Sequence, residues 1–84
     1  MYSITFSRSA AKNLADLPKD IREQIAADIQ GLAESPRPFP QSIKLTGDDL
    51  HRLKTGDYRT KYYINDKDKT IWIEDVLHRK DAYR

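Results

Sequence analysis

The sequence contains no cysteine, so disulfide bonds and thiolate metal sites are excluded. It also has no apolar run near the roughly 20 residues that a membrane-spanning helix needs, and its first residues lack the pattern of a signal peptide. We therefore expect a soluble, cytoplasmic protein that does not associate with a membrane. A chain of 84 residues can form one small core, so residues 1–84 are expected to be a single domain.

A marked excess of one sign of charge is also missing. The formal net charge is +2, which is too small to indicate nucleic-acid binding by itself. Residues 1–40 carry five basic and five acidic side chains, whereas residues 41–84 carry ten and eight. The slight basic excess therefore lies in the second half. The positions of these basic residues, more than the net charge, indicate what the protein can bind.

The first half predicts a strand followed by two helices. Apolar and polar residues alternate over residues 2–6, which is typical of a half-buried strand. Ser7 or Ser9 can cap a first helix, and Pro18 ends that helix and suits the first turn of the next. The second helix has an apolar stripe formed by Ile21, Ile25, Ile29 and Leu32. The proline-rich segment that follows ends this helix by Ser35.

The second half predicts a run of strands joined by short turns. Strands are expected at Ile43–Leu45, Leu50–Thr55, Tyr58–Asn65 and Thr70–Leu77, with turns at residues 47–49, 56–57 and 66–69 and a helical turn over residues 79–84. These elements predict an α+β fold in the order β-α-α-β-β-β-β, closed by the short C-terminal helical turn. Two N-terminal helices pack on one face of a small, largely antiparallel twisted sheet.

Basic residues in the middle of the chain follow strand spacing. Arg52 and Lys54 should point to one face while Leu53 points into the core. Arg59 and Lys61 should lie on the same face of the next strand. We expect no cluster of carboxylates to partner these cations, so an external anion, with RNA phosphate as the leading candidate, supplies the counter-charge. The alternative is a solvated basic strand face that discourages pairing with another chain.

Further residues bear on the nature of the site. The segment from His78 onward is basic and could fold over the same face, the alternative being a disordered basic end. Tyr63 and Trp72 could stack on bases, although a lone tryptophan is also typical of a core or partner interface. His51 and His78 have no acidic neighbour at ligand spacing, so a metal site is not expected.

Several short motifs occur in order along the chain: Leu17-Pro18, Ser35-Pro36, Lys44-Leu45 followed by Gly47, Arg52-Leu53-Lys54, Gly56-Asp57-Tyr58-Arg59 followed by Tyr62, and His78-Arg79 followed by Tyr83. In this order and spacing the sequence resembles, over essentially its whole length, the RelE/ParE superfamily of bacterial and archaeal toxins from toxin–antitoxin systems. It departs from the usual pattern at His51, where an aromatic residue is frequent, and at Lys61, where an apolar residue is frequent. The distance from Arg79 to Tyr83 varies in the superfamily.

The resemblance to the RelE branch implies a small ribonuclease, without metal or cofactor, that cuts messenger RNA in the ribosomal decoding site and has a cognate antitoxin. The catalytic residues it implies are Arg52, Lys54, Arg59, Arg79 and Tyr83. Further contacts with RNA are expected from Lys44, Lys61, His78 and Lys80. The ParE branch shares the fold but acts on DNA gyrase and generally lacks the full catalytic set, so retention of all five residue types favours RNA cleavage.

The chemistry of RNA cleavage is consistent with these residue types. RNA carries its own nucleophile, the 2′-hydroxyl, so an enzyme has to align it, remove its proton, neutralise the phosphorane and assist the departing 5′-oxygen. Arg52 and Arg59 are expected to hold the phosphate oxygens, and Arg79 to stabilise the leaving group. The general base is either Tyr83 or Lys54. A gyrase inhibitor and a non-catalytic RNA-binding or antitoxin-binding relative are the alternatives.

Overall fold

The computed structural model describes residues 1–38, 41–45 and 49–82. Its elements are β1 (Ser3–Phe6), α1 (Arg8–Ala15), α2 (Lys19–Gly31), β2 (Ser42–Lys44), β3 (Leu50–Thr55), β4 (Tyr58–Asn65), β5 (Thr70–His78) and α3 (Arg79–Ala82). They follow the predicted order, and the bounds of β3 and β4 agree with the prediction at both ends. In the described ranges, no helix is long and apolar enough to cross a membrane.

The described strands form one sheet of five, in the order β1-β5-β4-β3-β2. The pairs β2–β3, β3–β4 and β4–β5 are antiparallel. β1 pairs in parallel with β5, so that Ser3 lies opposite Thr70 and Phe6 opposite Ile73. The sheet is therefore largely antiparallel, as predicted, and its first and last strands in the chain are direct neighbours.

Local capping sets the bend between α1 and α2. The Oγ atom of Ser7 accepts a hydrogen bond from the backbone N–H of Ala10 at 2.9 Å, so Ser7 rather than Ser9 is the N-cap of α1. The helix stops short of Pro18 because a residue that precedes proline disfavours helical backbone. That residue, Leu17, leaves the helix and packs against the core.

The core lies between the two helices and one face of the sheet. The apolar stripe predicted for the second helix is confirmed, since Ile25, Ile29 and Leu32 are buried and Ile21 is half-buried. The sheet residues that complete this core include Leu53, Tyr62, Ile64, Ile71, Ile73 and Val76. Each of these side chains removes apolar surface from water, which is the main favourable term in a domain this small.

Tyr62 lies in this core and carries a buried hydroxyl group. The hydroxyl donates to the carbonyl oxygen of Pro36 at 2.8 Å and also contacts the hydroxyl of Ser42. Burial raises the pKa of Tyr62, so the phenol stays protonated. This side chain therefore ties the segment after α2 to the edge strand β2.

A β-bulge interrupts the pairing of β5 with β4. Tyr62 pairs with Ile73 and Lys61 pairs with Asp75, so Glu74 is an extra residue on β5. An extra residue resets the alternation of side chains, and every position beyond the bulge faces the side opposite to that expected from strict alternation.

Residues at the start of α1 satisfy the backbone groups of this bulge. The amide of Ser7 donates to the carbonyl oxygen of Ile73 at 2.9 Å, and its hydroxyl donates to that of Glu74 at 2.7 Å. The side-chain oxygen of Asn13 accepts from the amide of Val76 at 3.1 Å. Because Ile73 and Val76 both lie in the core, the two residues between them face the other side of the sheet.

Candidate functional site

The face of the sheet turned away from α1 and α2, called the open face below, carries the predicted basic residues. In the register of β3 with β4, Arg52 is opposite Lys61 and Lys54 is opposite Arg59. Leu53, between the first two positions on β3, is buried in the core. The prediction that these cations share one face of neighbouring strands is therefore confirmed. The arrangement concentrates positive charge on two neighbouring strands, which attracts an anionic ligand.

Arg59 is held by the turn between β3 and β4. The residue is only 7% exposed, and its Nη1 donates to the carbonyl oxygens of Gly56 at 2.8 Å and Tyr58 at 2.9 Å. Gly56 has a φ of 57°, in the left-handed region that favours glycine, so the turn depends on this residue. The guanidinium of Arg59 is therefore oriented before any ligand binds.

The C-terminal helix α3 begins against the same turn. The backbone N–H of Arg79 donates to the carbonyl oxygen of Asp57 at 2.7 Å, and the side chain of Arg79 is exposed. The structure thus brings the first residue of α3 beside the turn that holds Arg59. Lys80 is exposed on α3. Tyr83 lies outside the described residues, so its place near this turn stays a prediction.

Two residues expected to contact RNA lie away from these cations. His78 pairs with Tyr58, and their rings meet edge to face with centroids 5.4 Å apart. Tyr58 packs against the core, so His78 lies on the core side of the sheet, where the bulge in β5 turns it. Lys44 is exposed at the end of β2, opposite His51. Their contacts with RNA remain predictions.

The expectation that no carboxylates partner the cations is wrong. The bulge places Glu74 and Asp75 on the open face, where Asp75 is opposite Lys61. Burial raises the pKa of Asp75, while the charge of Lys61 acts in the opposite direction. Asp75 Oδ1 has no hydrogen-bond partner among the described residues. The sequence signal for this was the odd spacing of the core residues Ile73 and Val76, which strict alternation does not allow.

Beside the cations the open face becomes aromatic. Tyr63 of β4 lies between Leu50 of β3 and Trp72 of β5. Trp72 is 42% exposed, and its Nε1 donates to the carboxylate of Glu74 at 2.7 Å. A cleft of about 630 Å³ opens at this end of the sheet, and its walls include Arg37, Lys44, His51, Tyr63, Asn65 and Trp72.

An ion pair forms part of the cleft wall. Arg37 Nη2 lies 2.7 Å from Asp66 Oδ2, and the hydroxyl of Tyr2 donates to the same carboxylate. These contacts, with Arg37 the stronger, hold the pKa of Asp66 below its ordinary value. His51 is buried and its ring stacks on that of Tyr62 with centroids 5.4 Å apart. The histidine therefore supports the core and also lines the cleft.

The open face combines positive charge with flat apolar surface. Arg52 is half-buried and Lys54 is exposed, next to the oriented guanidinium of Arg59. Guanidinium groups bind phosphate oxygens through paired N–H donors, and aromatic rings stack on bases. Within the part of the chain that the structure describes, no group of three or more histidine, aspartate or glutamate side chains is placed to hold a metal ion.

Comparison with known proteins identifies the family. Residues 4–83 match the sequence model described as "ParE toxin of type II toxin-antitoxin system, parDE". Toxin RelE of Mycobacterium tuberculosis is 27% identical over 84 residues, which cover 99% of this chain and 87% of that protein. A chain of the archaeal RelE–RelB complex from Pyrococcus horikoshii matches with a TM-score of 0.83 and 36% identity, over 93% of this chain and 94% of the other. A chain of the E. coli RelBE toxin–antitoxin complex matches with a TM-score of 0.80 and 27% identity, over 93% and 96%. The protein belongs to the RelE/ParE superfamily, the toxins of type II toxin–antitoxin systems, and resembles its RelE branch.

Proposed function

We propose that this toxin cleaves messenger RNA as an endoribonuclease that needs no metal ion. The observation that supports this most is the pairing of Arg52 with Lys61 and of Lys54 with Arg59, beside the backbone of Arg79. These four cations outnumber the two carboxylates that the bulge places on this face, Glu74 and Asp75. Such a concentration of positive charge attracts a phosphodiester, whose backbone extends along the face to further cations.

The reaction uses the nucleophile that RNA carries. The 2′-oxygen attacks the adjacent phosphorus, a bond from O2′ to phosphorus forms, and the bond from phosphorus to O5′ breaks. The proton of the 2′-hydroxyl passes to a general base, and the departing 5′-oxygen takes a proton from water to become the 5′-hydroxyl. The products are a 2′,3′-cyclic phosphate and a 5′-hydroxyl, and the enzyme lowers the barrier by alignment and charge stabilisation.

Each of the five predicted catalytic residues has a candidate role in this reaction. Arg59 and Arg52 hold the non-bridging oxygens, and the turn carbonyls that orient Arg59 reduce the entropy lost on binding. Arg79 stabilises the charge that develops on the 5′-oxygen. The general base is Lys54, which is exposed opposite Arg59, or Tyr83.

A cognate antitoxin and the ribosome are the proposed partners. The similar structures from P. horikoshii and E. coli are toxin–antitoxin complexes, which supports an antitoxin for this chain. We expect the antitoxin to cover the open face or to displace α3. An antitoxin segment that folds on binding suits a domain of 84 residues, because binding energy adds directly to the stability of a small core. The ribosome would present the messenger strand to the open face.

The variant Arg79→Ala tests this function without disturbing the fold. Arg79 anchors α3 through its backbone N–H, which alanine retains, and its side chain is exposed. We expect cleavage of RNA on the ribosome to slow by about 100-fold, the usual effect of removing one donor to a developing negative charge. Growth inhibition on induction should be lost, while circular dichroism shows the natural fold.

The matched control is Arg8→Ala, which removes an exposed arginine from the first turn of α1. It should leave growth inhibition and cleavage unchanged. Full toxicity of Arg79→Ala would contradict the ribonuclease assignment. The products give a second check, since a 5′-phosphate at the cut requires activated water instead of the 2′-hydroxyl.

Inhibition of DNA gyrase is the second candidate function. It is favoured by the match of residues 4–83 to the family of ParE toxins. Induction would then break DNA and leave transcripts intact, whereas the ribonuclease stops translation and leaves DNA intact. Mapping of transcript 5′ ends after induction, with and without co-expression of the cognate antitoxin, separates the two. RNA binding without any product would instead indicate a non-catalytic relative.

A further inference from the structure

We propose that Tyr63 and Trp72 form a stacking platform for a nucleobase that neighbours the cleaved phosphodiester. The two residues are direct partners in the register of β4 with β5, on the open face. This inference rests on the proposed ribonuclease function and adds a second, separate binding site for the RNA strand. The experiments below can reject the platform without rejecting the ribonuclease function, and the reverse.

Trp72 lies on the open face of the sheet and is not part of the core. Trp72 is the one tryptophan of the sequence, and 42% of its surface is exposed. The core side of β5 is filled by its neighbours Ile71 and Ile73, which are fully buried. A large exposed ring is costly in a soluble protein, so a flat ligand that covers it would gain apolar burial.

The ring of Trp72 is also held in one orientation. Its Nε1 donates to Glu74 Oε2 at 2.7 Å, a hydrogen bond to a charged group. Glu74 can reach the ring because the bulge in β5 places it on the open face. A pre-oriented aromatic surface loses little conformational entropy when a base stacks on it. The indole N–H is already satisfied, so the exposed part of the ring offers stacking without base-specific hydrogen bonds.

Spacing connects the platform to the cationic residues. Tyr63 follows Lys61 by two positions on β4, which separates their side chains by about 6.6 Å on the same face. That distance is comparable to one extended nucleotide. A phosphate near Lys61 and Arg52 therefore brings an adjacent base over Tyr63 and Trp72. The neighbouring cleft of about 630 Å³ is large enough to receive a base.

The charge of the open face favours single-stranded RNA over a protein segment as the occupant. Arg52, Lys54, Arg59 and Lys61 lie on one side of the platform and outnumber the two carboxylates of the bulge, Glu74 and Asp75, so the face matches a ligand that alternates phosphates with flat bases. Such ligands bind where a basic groove tracks the backbone and aromatic rings receive successive bases. Stacking tolerates every base, so the platform contributes affinity and position more than sequence preference.

Trp72 itself reports on the proposed contact. A short single-stranded oligonucleotide with 2′-O-methyl groups cannot be cleaved by 2′-hydroxyl attack, and at low salt it should quench the emission of Trp72 in the natural protein. The same strand with abasic sites keeps its phosphates but offers no base to stack. We expect it to bind with about tenfold lower affinity, measured by anisotropy of a labelled strand, and to leave the emission nearly unchanged.

Variants of the platform use the anisotropy readout. Trp72→Ala should weaken binding by about tenfold, and Trp72→Phe, which keeps a ring, should recover most of the affinity. Phe6→Ala is the matched control, because Phe6 is also exposed but is opposite the core residue Ile73. It should bind as the natural protein does.

Several results would overturn the platform. The first is that Trp72→Ala binds the oligonucleotide as tightly as the natural protein does. The second is that the natural protein binds the abasic strand as tightly as the complete strand, and the third is that it does not bind the oligonucleotide at low salt. Emission that changes only in the complex purified with the cognate antitoxin would assign Trp72 to a protein interface instead. Quenching by the oligonucleotide in a protein that cuts no RNA would retain the platform and remove the ribonuclease function. Cleavage of RNA by a protein whose Trp72 emission does not respond to the oligonucleotide would retain the ribonuclease function and remove the platform.

Discussion

At the scale of single residues, Asp75 makes the clearest prediction about pH. Burial raises the pKa of its carboxyl above the ordinary value of 3.8, so the folded protein binds this proton more tightly than the unfolded chain. The contribution of Asp75 to the free energy of unfolding is therefore fully present below pH 3.8 and decreases as the pH rises through the raised value. Asparagine does not ionise, so a variant with asparagine at this position does not lose free energy of unfolding as the pH rises.

We expect Asp75→Asn to unfold at a higher temperature than the natural protein at about pH 7, and at the same temperature at about pH 3, where both side chains are neutral. Thermal unfolding followed by circular dichroism at the two pH values measures this. Glu34→Gln, at an exposed position after α2, is the control and should change little. A variant that is less stable near neutral pH would show that the contact of Asp75 with Lys61 outweighs its burial.

At the scale of elements, Ser7 joins α1 to the bulge in β5. Its hydroxyl accepts from the amide of Ala10 and donates to the carbonyl of Glu74, and Ser7 itself is buried. Ser7→Ala should lower the free energy of unfolding by about 2 kcal/mol, which combines a lost cap with an unsatisfied carbonyl. The melting temperature should fall by roughly 10 °C.

The control for Ser7→Ala is Ser9→Ala, at the other serine that could have capped this helix. Ser9 is exposed within α1, so its replacement should change the free energy of unfolding by less than about 0.5 kcal/mol. Equal effects of the two substitutions in urea denaturation would refute the role assigned to Ser7.

The same elements show what sequence patterns can predict. The stripe of α2 and the alternation along β3 and β4 depend on neighbours along the chain, so their faces followed from the sequence. The bulge depends on Ser7 and Asn13, which are distant in sequence from β5. The expectation that the basic segment from His78 onward folds over the cationic face therefore failed for His78, and the place of Asp75 beside Lys61 was missed. The turn that holds Arg59 was expected, but its carbonyl contacts were not, because they require the folded backbone.

At the scale of the whole molecule, the placement of charge matters more than its sum. The net charge is only +2, yet the open face gathers cations on β3 and β4. Binding of single-stranded RNA should therefore weaken with salt, and the slope of log K against log salt should be about −0.7 for each phosphate contacted. Lys54→Gln should reduce the magnitude of that slope by about 0.7, as measured by anisotropy over a range of salt concentrations.

Lys19→Gln provides the comparison for this measurement. Lys19 is exposed on α2, on the other side of the sheet, and lies 3.9 Å from Glu23. Its replacement should leave the slope unchanged. An equal decrease in both variants would mean that RNA responds to the total charge of the protein and does not occupy the open face.

The parallel pairing of β1 with β5 has a consequence for synthesis of the protein. Ile4 pairs with Ile71 and Phe6 with Ile73, so the sheet cannot close until β5 has emerged from the exit tunnel. Arg79 emerges later still. A nascent or truncated chain therefore lacks both a finished scaffold and a complete set of cations. Closure of the sheet and completion of the cationic face are therefore among the last events in making the folded protein.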